Sequence, residues 1–443
     1  MAWPHPRFPY VQKRHRVGLL SLRLWLRHML FWGGAVGVGL AATAFALSSD
    51  YAHELFRRVV TVSPWLPLLV TPLTLAGVAA LTQRYFKGAE GSGIPQTIAA
   101  LRMPEGGNRD AVLSLRLAAA KMLLTCVGLA GGASVGREGP TVQVGAALLY
   151  NLRWLVRFPR HLMERGLIVA GGGAGVAAAF NTPLAGVVFA IEEMARSFEE
   201  RSSGTLITAV IIAGLAAVYV QGNYTYFGAT SATLAGASGW FGVLLCGLAG
   251  GLLGGGFSRL LLAFSTRGLP GRAGVFVRTH PVGFAAACGL ALALIGLASG
   301  SAIYGSGYVE AKHLLEGTGT VSAGYGIWKM LATLISFVSG IPGGLFAPSL
   351  SAGAGIGQFV AGLLDPADAG ALIVIGMAAY FAGVVQAPIT AFVIVMEMTD
   401  NHAMVVPLML ATLLATAVSR VVCPRPLYKA LATNYLARVR PAA

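Results

Sequence analysis

Among the ionisable residues within or at the edge of long apolar runs in this 443-residue chain, six stand out: Lys121, Arg137, Glu138, Glu192, Glu193 and Glu397. Such groups are costly in an apolar medium and are functional positions by default. Glu138 is the most telling. It lies in Gly136-Arg137-Glu138-Gly139-Pro140, just before an apolar run that opens at Thr141. Proline suits the first turn of a helix, so Glu138 is expected at or just before a helix N-terminus. Amide N–H groups without helical partners and a partial positive charge gather there, which makes the end an anion site. An ionised carboxylate tethered at it competes with any mobile anion. Protonation removes that competition.

Three other places repeat the geometry. Ser92-Gly93-Ile94-Pro95 precedes an apolar helix, with the Ser hydroxyl beside free amides. Gly343-Gly344-Leu345-Phe346-Ala347-Pro348 offers backbone N–H groups without side-chain charge. Pro424-Arg425-Pro426-Leu427-Tyr428 opens a last short helix whose Tyr can donate from its hydroxyl. Neutral donors suit an anion that must bind and leave quickly, because a full Lys or Arg charge would trap it. Glu192 and Glu193 end an apolar helix ahead of Arg196-Ser197-Phe198-Glu199-Glu200. A carboxylate there can take protons from inner-side water, or else is a solvated helix end or pairs with Arg196. Lys121, in mid-segment, is expected to balance a buried carboxylate or carbonyl group.

The elements that position these residues are set by composition. Hydrophobic residues make up 56% of the chain and charged residues 11%, against about 25% charged in a soluble domain. Mean hydropathy is +0.70. Apolar segments fall near 29–48, 62–82, 113–134, 139–150, 166–180, 183–194, 205–221, 239–264, 281–299, 327–339, 345–364, 370–384, 388–398 and 403–419. Many are long enough to enter or cross a roughly 30 Å hydrocarbon core. A soluble enzyme and a peripheral protein with one anchor are excluded; the chain is an all-α polytopic membrane protein. Its 59 Gly and 21 Pro predict short, interrupted helices rather than straight spans, since freed backbone groups are tolerated only where they find protein partners or line a cavity. Loops are expected near 102–111, 222–231, 265–280 and 364–369.

The net charge of +15 is concentrated at the ends: Arg7, Lys13, Arg14, Arg16, Arg23 and Arg27 at the start, and Arg420, Arg425, Lys429, Arg438 and Arg440 near the finish. Basic flanks mark the cytoplasmic side, so both termini are expected there and nucleic-acid binding is not. Ala44-Phe45-Ala46 resembles a cleavage site, but the basic region before it is too long for a signal peptide. Cys126, Cys246, Cys288 and Cys423 show no metal-ligand spacing and read as core residues; no metal or cofactor is expected. The eight His residues fall outside the Gly-rich sequences, which leaves Ser92 without a catalytic base and argues against an enzyme. With 15 residues after Tyr428, no appended soluble domain is expected.

An internal repeat ties these observations together. Gly91-Ser92-Gly93-Ile94-Pro95 echoes Gly305-Ser306-Gly307-Tyr308-Val309, Gly132 to Gly145 aligns with Gly340 to Gly353, and Pro183 to Glu192 aligns with Pro388 to Glu397, at offsets of 214, 208 and 205. Duplicated halves with interrupted segments in matching positions are the pattern of transporters that hold substrate near the membrane midplane. Glu397 is the counterpart of Glu192, so one of each acid pair can be a structural contact.

These signatures resemble those of the CLC family of chloride channels and proton-coupled chloride transporters, in order and at family spacing, over roughly residues 30–437. The resemblance implies an inverted repeat of about eighteen tilted, partly membrane-penetrating helices, and a homodimer with one pore per subunit. It implies residues 1–28 as a basic cytoplasmic segment, one transmembrane domain over 29–437 (halves near 29–221 and 239–437) and a tail at 438–443, in the cytoplasmic membrane. By the same resemblance, the Ser92 and Tyr428 hydroxyls and the Leu345 and Phe346 amides bind chloride, and the backbone of Gly93, Ile94, Arg137 and Gly139 lines the pathway. Glu138 matches the gating glutamate that also carries the proton. Glu193 matches the internal proton glutamate, which channel members commonly replace. The implied function is chloride/proton antiport, with a passive voltage- or pH-gated chloride channel as the alternative. Ser92 resembles the chloride-preferring type, since nitrate-preferring members carry Pro there. The fluoride-exporting branch departs from the Ser and Tyr pattern altogether. Gln96 and Ile98 depart from the acids that many members carry, which leaves the partner of Arg137 open.

Overall fold

The computed structural model describes residues 22–104, 107–155, 164–195, 200–234, 236–267, 271–318, 321–364 and 366–439. The basic arm through Arg16, the Arg196 stretch and Arg440 lie outside these. The first half comprises α1 (Leu22–Val62), α2 (Pro67–Tyr85), α3 (Ile94–Arg102), α4 (Leu115–Ala130), α5 (Glu138–Asn151), α6 (Glu164–Phe180), α7 (Pro183–Phe189) and α8 (Glu200–Gln221). The second comprises α9 (Ala237–Leu262), α10 (Pro281–Ala298), α11 (Tyr308–Glu316), α12 (Tyr325–Val338), α13 (Phe346–Ala361), α14 (Ala369–Val385), α15 (Pro388–Thr399), α16 (Val405–Val422) and α17 (Leu427–Val439). Proline stands in the first turn of α2, α3, α7, α10 and α15, where its fixed φ is helical and its missing N–H costs nothing.

Among the described residues, six helices are long and apolar enough to cross a membrane. Leu40, Leu123, Leu252 and Leu294 project outward from them, as a bilayer rather than water requires. The chain is an all-helical, multi-pass membrane protein.

The two halves repeat in detail. Asn181 (φ 56°) precedes α7 and Gln386 (φ 59°) precedes α15, each two residues before the proline that opens the helix. In each half the helix that follows the second Gly-rich sequence packs intimately on its successor, α5 on α6 and α13 on α14. The crossings are made by glycine: a Cβ on Gly353 would lie 2.5 Å from the Gly376 carbonyl oxygen, and one on Gly145 would collide with that of Gly171. Small residues at such crossings let backbones approach closely.

The helices differ from expectation in three places. α1 runs on past the apolar segment at 29–48 to Val62, its added turns carrying Glu54 beside Arg57 and Arg58 one turn away. The expected loop at 265–280 contains a helix, Gly271–Thr279. Helix α11 was hidden because its nine residues carry Glu310, Lys312, His313 and Glu316.

Candidate functional site

Glu138 is the first residue of α5 and is 1% exposed. The backbone around it is laced to the second half. Gly136 and Gly344 exchange N–H···O=C bonds of 2.8 and 2.7 Å, Gly91 N donates to Ile341 O (3.1 Å), and Gly343 N donates to Gly91 O (3.1 Å). These bridges bring the three Gly-rich sequences to one locus, with the N-termini of α3, α5 and α13 converging there. The Glu138 carboxylate faces its own amide and that of Ala347. It therefore sits at two helix N-termini at once. Tyr226 donates to its Oε1 at 3.1 Å, and the Tyr226 ring packs edge-on against Phe180, Phe227 and Tyr308.

Ser92 and Tyr428 are both fully buried. Neither hydroxyl has a protein hydrogen bond of normal geometry. A buried hydroxyl left unmatched costs about 1–3 kcal/mol, so this pair fits a ligand with acceptor character. The Tyr428 hydroxyl lies within electrostatic reach of Ser92, Glu138 and Glu193 together. Gly139 is glycine for a direct reason, since a Cβ there would collide with Ser92 Oγ and stand 2.8 Å from the Ser92 carbonyl oxygen. Leu345 caps α13 and Phe346 opens it, so their amides are among those without helical partners. The Phe346 ring is locked between Phe180, Phe189 and Phe381, with centroids at 5.2, 6.2 and 4.2 Å. That packing fixes the amide it follows.

Glu192 and Glu193 part company in a π-helical segment, Ala190–Ala195. Glu193 is 2% exposed and approaches Lys429 Nζ at 3.8 Å, next to Tyr428. Glu192 instead accepts from the amides of Ile389 (3.2 Å) and Thr390 (2.6 Å) at the start of α15. Glu397 does the reciprocal for α7, accepting from Leu184 (3.0 Å) and Ala185 (2.6 Å). These two acids are caps that tie the halves together. Glu192→Ala or Glu397→Ala is expected to lower stability by about 0.5–2 kcal/mol, the range for a lost N-cap. Unfolding in mixed micelles measures it.

Arg137 finds its partners on α1: its Nη1 donates to Ala46 O (2.6 Å) and pairs with Asp50 (2.7 Å). The missing acids at 96 and 98 are thus not needed to hold it. Lys121 is fully buried and donates to Gln143 Oε1 (2.7 Å) and Glu90 O (3.5 Å). Lys329 does the same for the other half, donating to Ile303 O and Gly305 O at 2.8 Å each. Each ammonium grips the turn at its own Gly-Ser-Gly sequence. Lys329 was missed from sequence, although the 208-residue offset from Lys121 was the signal for it. Nothing local in sequence pointed to Tyr226, Asp50 or Lys429. All four cysteines are free; Cys246, Cys288 and Cys423 are buried and Cys126 is half-buried.

Comparison with known proteins places this geometry. Residues 73–420 match the family model described as voltage gated chloride channel. The chain is 32% identical to the H(+)/Cl(−) exchange transporter ClcA of Cronobacter sakazakii, over 90% of this chain and 88% of that protein. It is 31% identical to ClcA of Yersinia pestis, over 93% and 88%. Among solved structures, a slow cyanobacterial Cl−/H+ antiporter superposes with a TM-score of 0.78 at 24% identity, covering 93% of this chain and 98% of that one. A CLC-type fluoride/proton antiporter gives 0.76 at 20% identity, covering 92% and 99%. The family match over most of the chain and the identity to these relatives agree with the converging helix N-termini, and the chain belongs to the CLC family of voltage-gated chloride channels and transporters.

Proposed function

We infer that this chain is a secondary active antiporter that exchanges chloride against protons. The carrying observation is the Glu138 carboxylate, buried where the N-termini of α5 and α13 meet. A tethered carboxylate on an anion position enforces competition. Ionised, it holds the place of chloride; protonated, it loses its attraction to the amides and leaves as chloride enters. Proton and anion then move in opposite directions. Ser92 and Tyr428 donate hydroxyls to the central chloride, and the Leu345 and Phe346 amides complete its shell, with the Gly93, Ile94, Arg137 and Gly139 backbone along the path. Glu193 relays protons from the inner side, where Lys429 neutralises its charge between deliveries. The relatives named H(+)/Cl(−) exchange transporter support exchange over a passive channel. Calorimetric titration of chloride into Ser92→Ala protein tests the anion site: weakened binding is expected, and unchanged affinity would remove Ser92 from it.

The same reading gives one transmembrane domain over 29–437, in the inner membrane of a bacterial cell, with both termini cytoplasmic. It also gives a homodimer with one pore per subunit. Ile207, Ile211 and Leu215 along α8 and Val406, Leu410 and Leu413 along α16 are exposed at helical spacing, beside the exposed Leu184 and Ile389. A continuous apolar face of this kind suits a second copy of the chain. Cross-linking in detergent is expected to trap a dimer, and recovery of monomer alone would contradict it.

A further inference from the structure

Gln96, one of the two departures from the family pattern near Ser92, is not idle. Its side chain is fully buried one turn into α3. Its Oε1 accepts from Gly93 N at 3.0 Å, which fixes the orientation of the amide. Its Nε2 then donates to the Glu90 carbonyl, to Gly88 O (3.4 Å) and to the Tyr435 hydroxyl (3.1 Å). Tyr435 in turn donates to Glu90 O at 3.2 Å. A closed ring of hydrogen bonds thus joins the turn that presents Ser92 to the helix that presents Tyr428.

Tyr435 lies seven residues beyond Tyr428 on α17, so two turns bring both rings to nearly the same helix face. α17 packs directly on α3. The ring borders a cavity of about 800 Å³, lined by Lys87, Glu90, Gly91, Leu431, Asn434 and Tyr435 among others. The hydrogen-bonded ring is the polar tie between this part of α17 and the α3 turn, beside the apolar packing of Leu427, Leu431 and Ala432. A carboxylate at position 96 would accept from Gly93 but could not donate to Glu90 O or to Tyr435.

We propose that Gln96 and Tyr435 are positioning residues that clamp α17 to the α3 turn and set the separation of the Ser92 and Tyr428 hydroxyls, and with it chloride affinity. This rests on the reading of those two hydroxyls as chloride ligands. Neither Gln96 nor Tyr435 belongs to the residues read as anion ligands.

The test is a double-mutant cycle on the purified full chain, with chloride binding read by calorimetry. Tyr435→Phe is expected to raise the chloride Kd by about five-fold, the scale of one lost hydrogen bond, and Gln96→Leu by at least as much. In a Ser92→Ala background, Tyr435→Phe should change Kd less than two-fold, because the ligand it positions is gone. Equal weakening by Tyr435→Phe in both backgrounds overturns the proposal, since general loosening of the fold adds to the loss of Ser92. Ser92→Ala weakening binding while Tyr435→Phe leaves it unchanged also overturns it and leaves the anion site standing. No effect of Ser92→Ala would overturn both. If Gln96→Leu does not fold, the Tyr435→Phe arms decide alone.

Discussion

Glu138→Ala is expected to abolish proton movement altogether while chloride still crosses. The carboxylate is buried at the shared N-termini of α5 and α13 and is positioned by Tyr226. In the proposed mechanism it is exchanged for chloride there, which makes it both the gate and the proton carrier. Ala keeps the helix start and removes the competitor. The effect is of the all-or-none kind: proton flux driven by a chloride gradient falls to background, not by a few-fold. Chloride flux should also lose its dependence on external pH, because no other group at the site has to be protonated before an anion can enter. Proton-coupled exchange persisting in Glu138→Ala would sink the mechanism.

The second large effect is expected at Glu193. This side chain is 2% exposed, beside Lys429 and within electrostatic reach of Tyr428. Gln has the same shape and can keep a dipolar contact with Lys429, but it cannot bind and release a proton. Glu193→Gln should therefore leave anion flux within a few-fold of the parent and stop proton transport. Glu192→Gln, one residue away, should do neither, since Glu192 is spent on the amides of α15. Vesicle assays that record both ions separate the outcomes. Coupled proton movement in Glu193→Gln would mean that protons reach Glu138 by another route.

The contrast between these adjacent acids shows where sequence reading succeeds and where it stops. Composition, the three Gly-rich sequences and the proline after each were enough for an all-helical membrane protein with anion-attracting helix starts. Those features act within a few residues of one another. Glu138 was legible for that reason, and structure places it on the first residue of its helix. Which of Glu192 and Glu193 is a cap was not legible. It depends on a π-helical segment that turns one acid toward α15, 197 residues away in sequence, and the other toward α17. Tyr226 reaches Glu138 across 88 residues, and Arg137 reaches Ala46 across 91. Such pairings leave no local pattern. The repeat was the one long-range signal available. It accounts for the reciprocal caps at Glu192 and Glu397, and it would have found Lys329 had the buried lysines been compared at the same offset. Helix α11 was missed for the opposite reason: its charges look like a loop when the tertiary fold that buries part of it is unseen.

The most direct test uses the purified protein in liposomes with a chloride gradient and no imposed pH gradient. Voltage is clamped by a potassium ionophore at the proton equilibrium potential, and external pH is followed. Exchange at Glu138 predicts uphill proton movement driven by chloride, lost in Glu138→Ala and in Glu193→Gln. Chloride flux with no proton movement in the unaltered protein would contradict it, and would make the chain a passive channel with Glu138 as a gate alone.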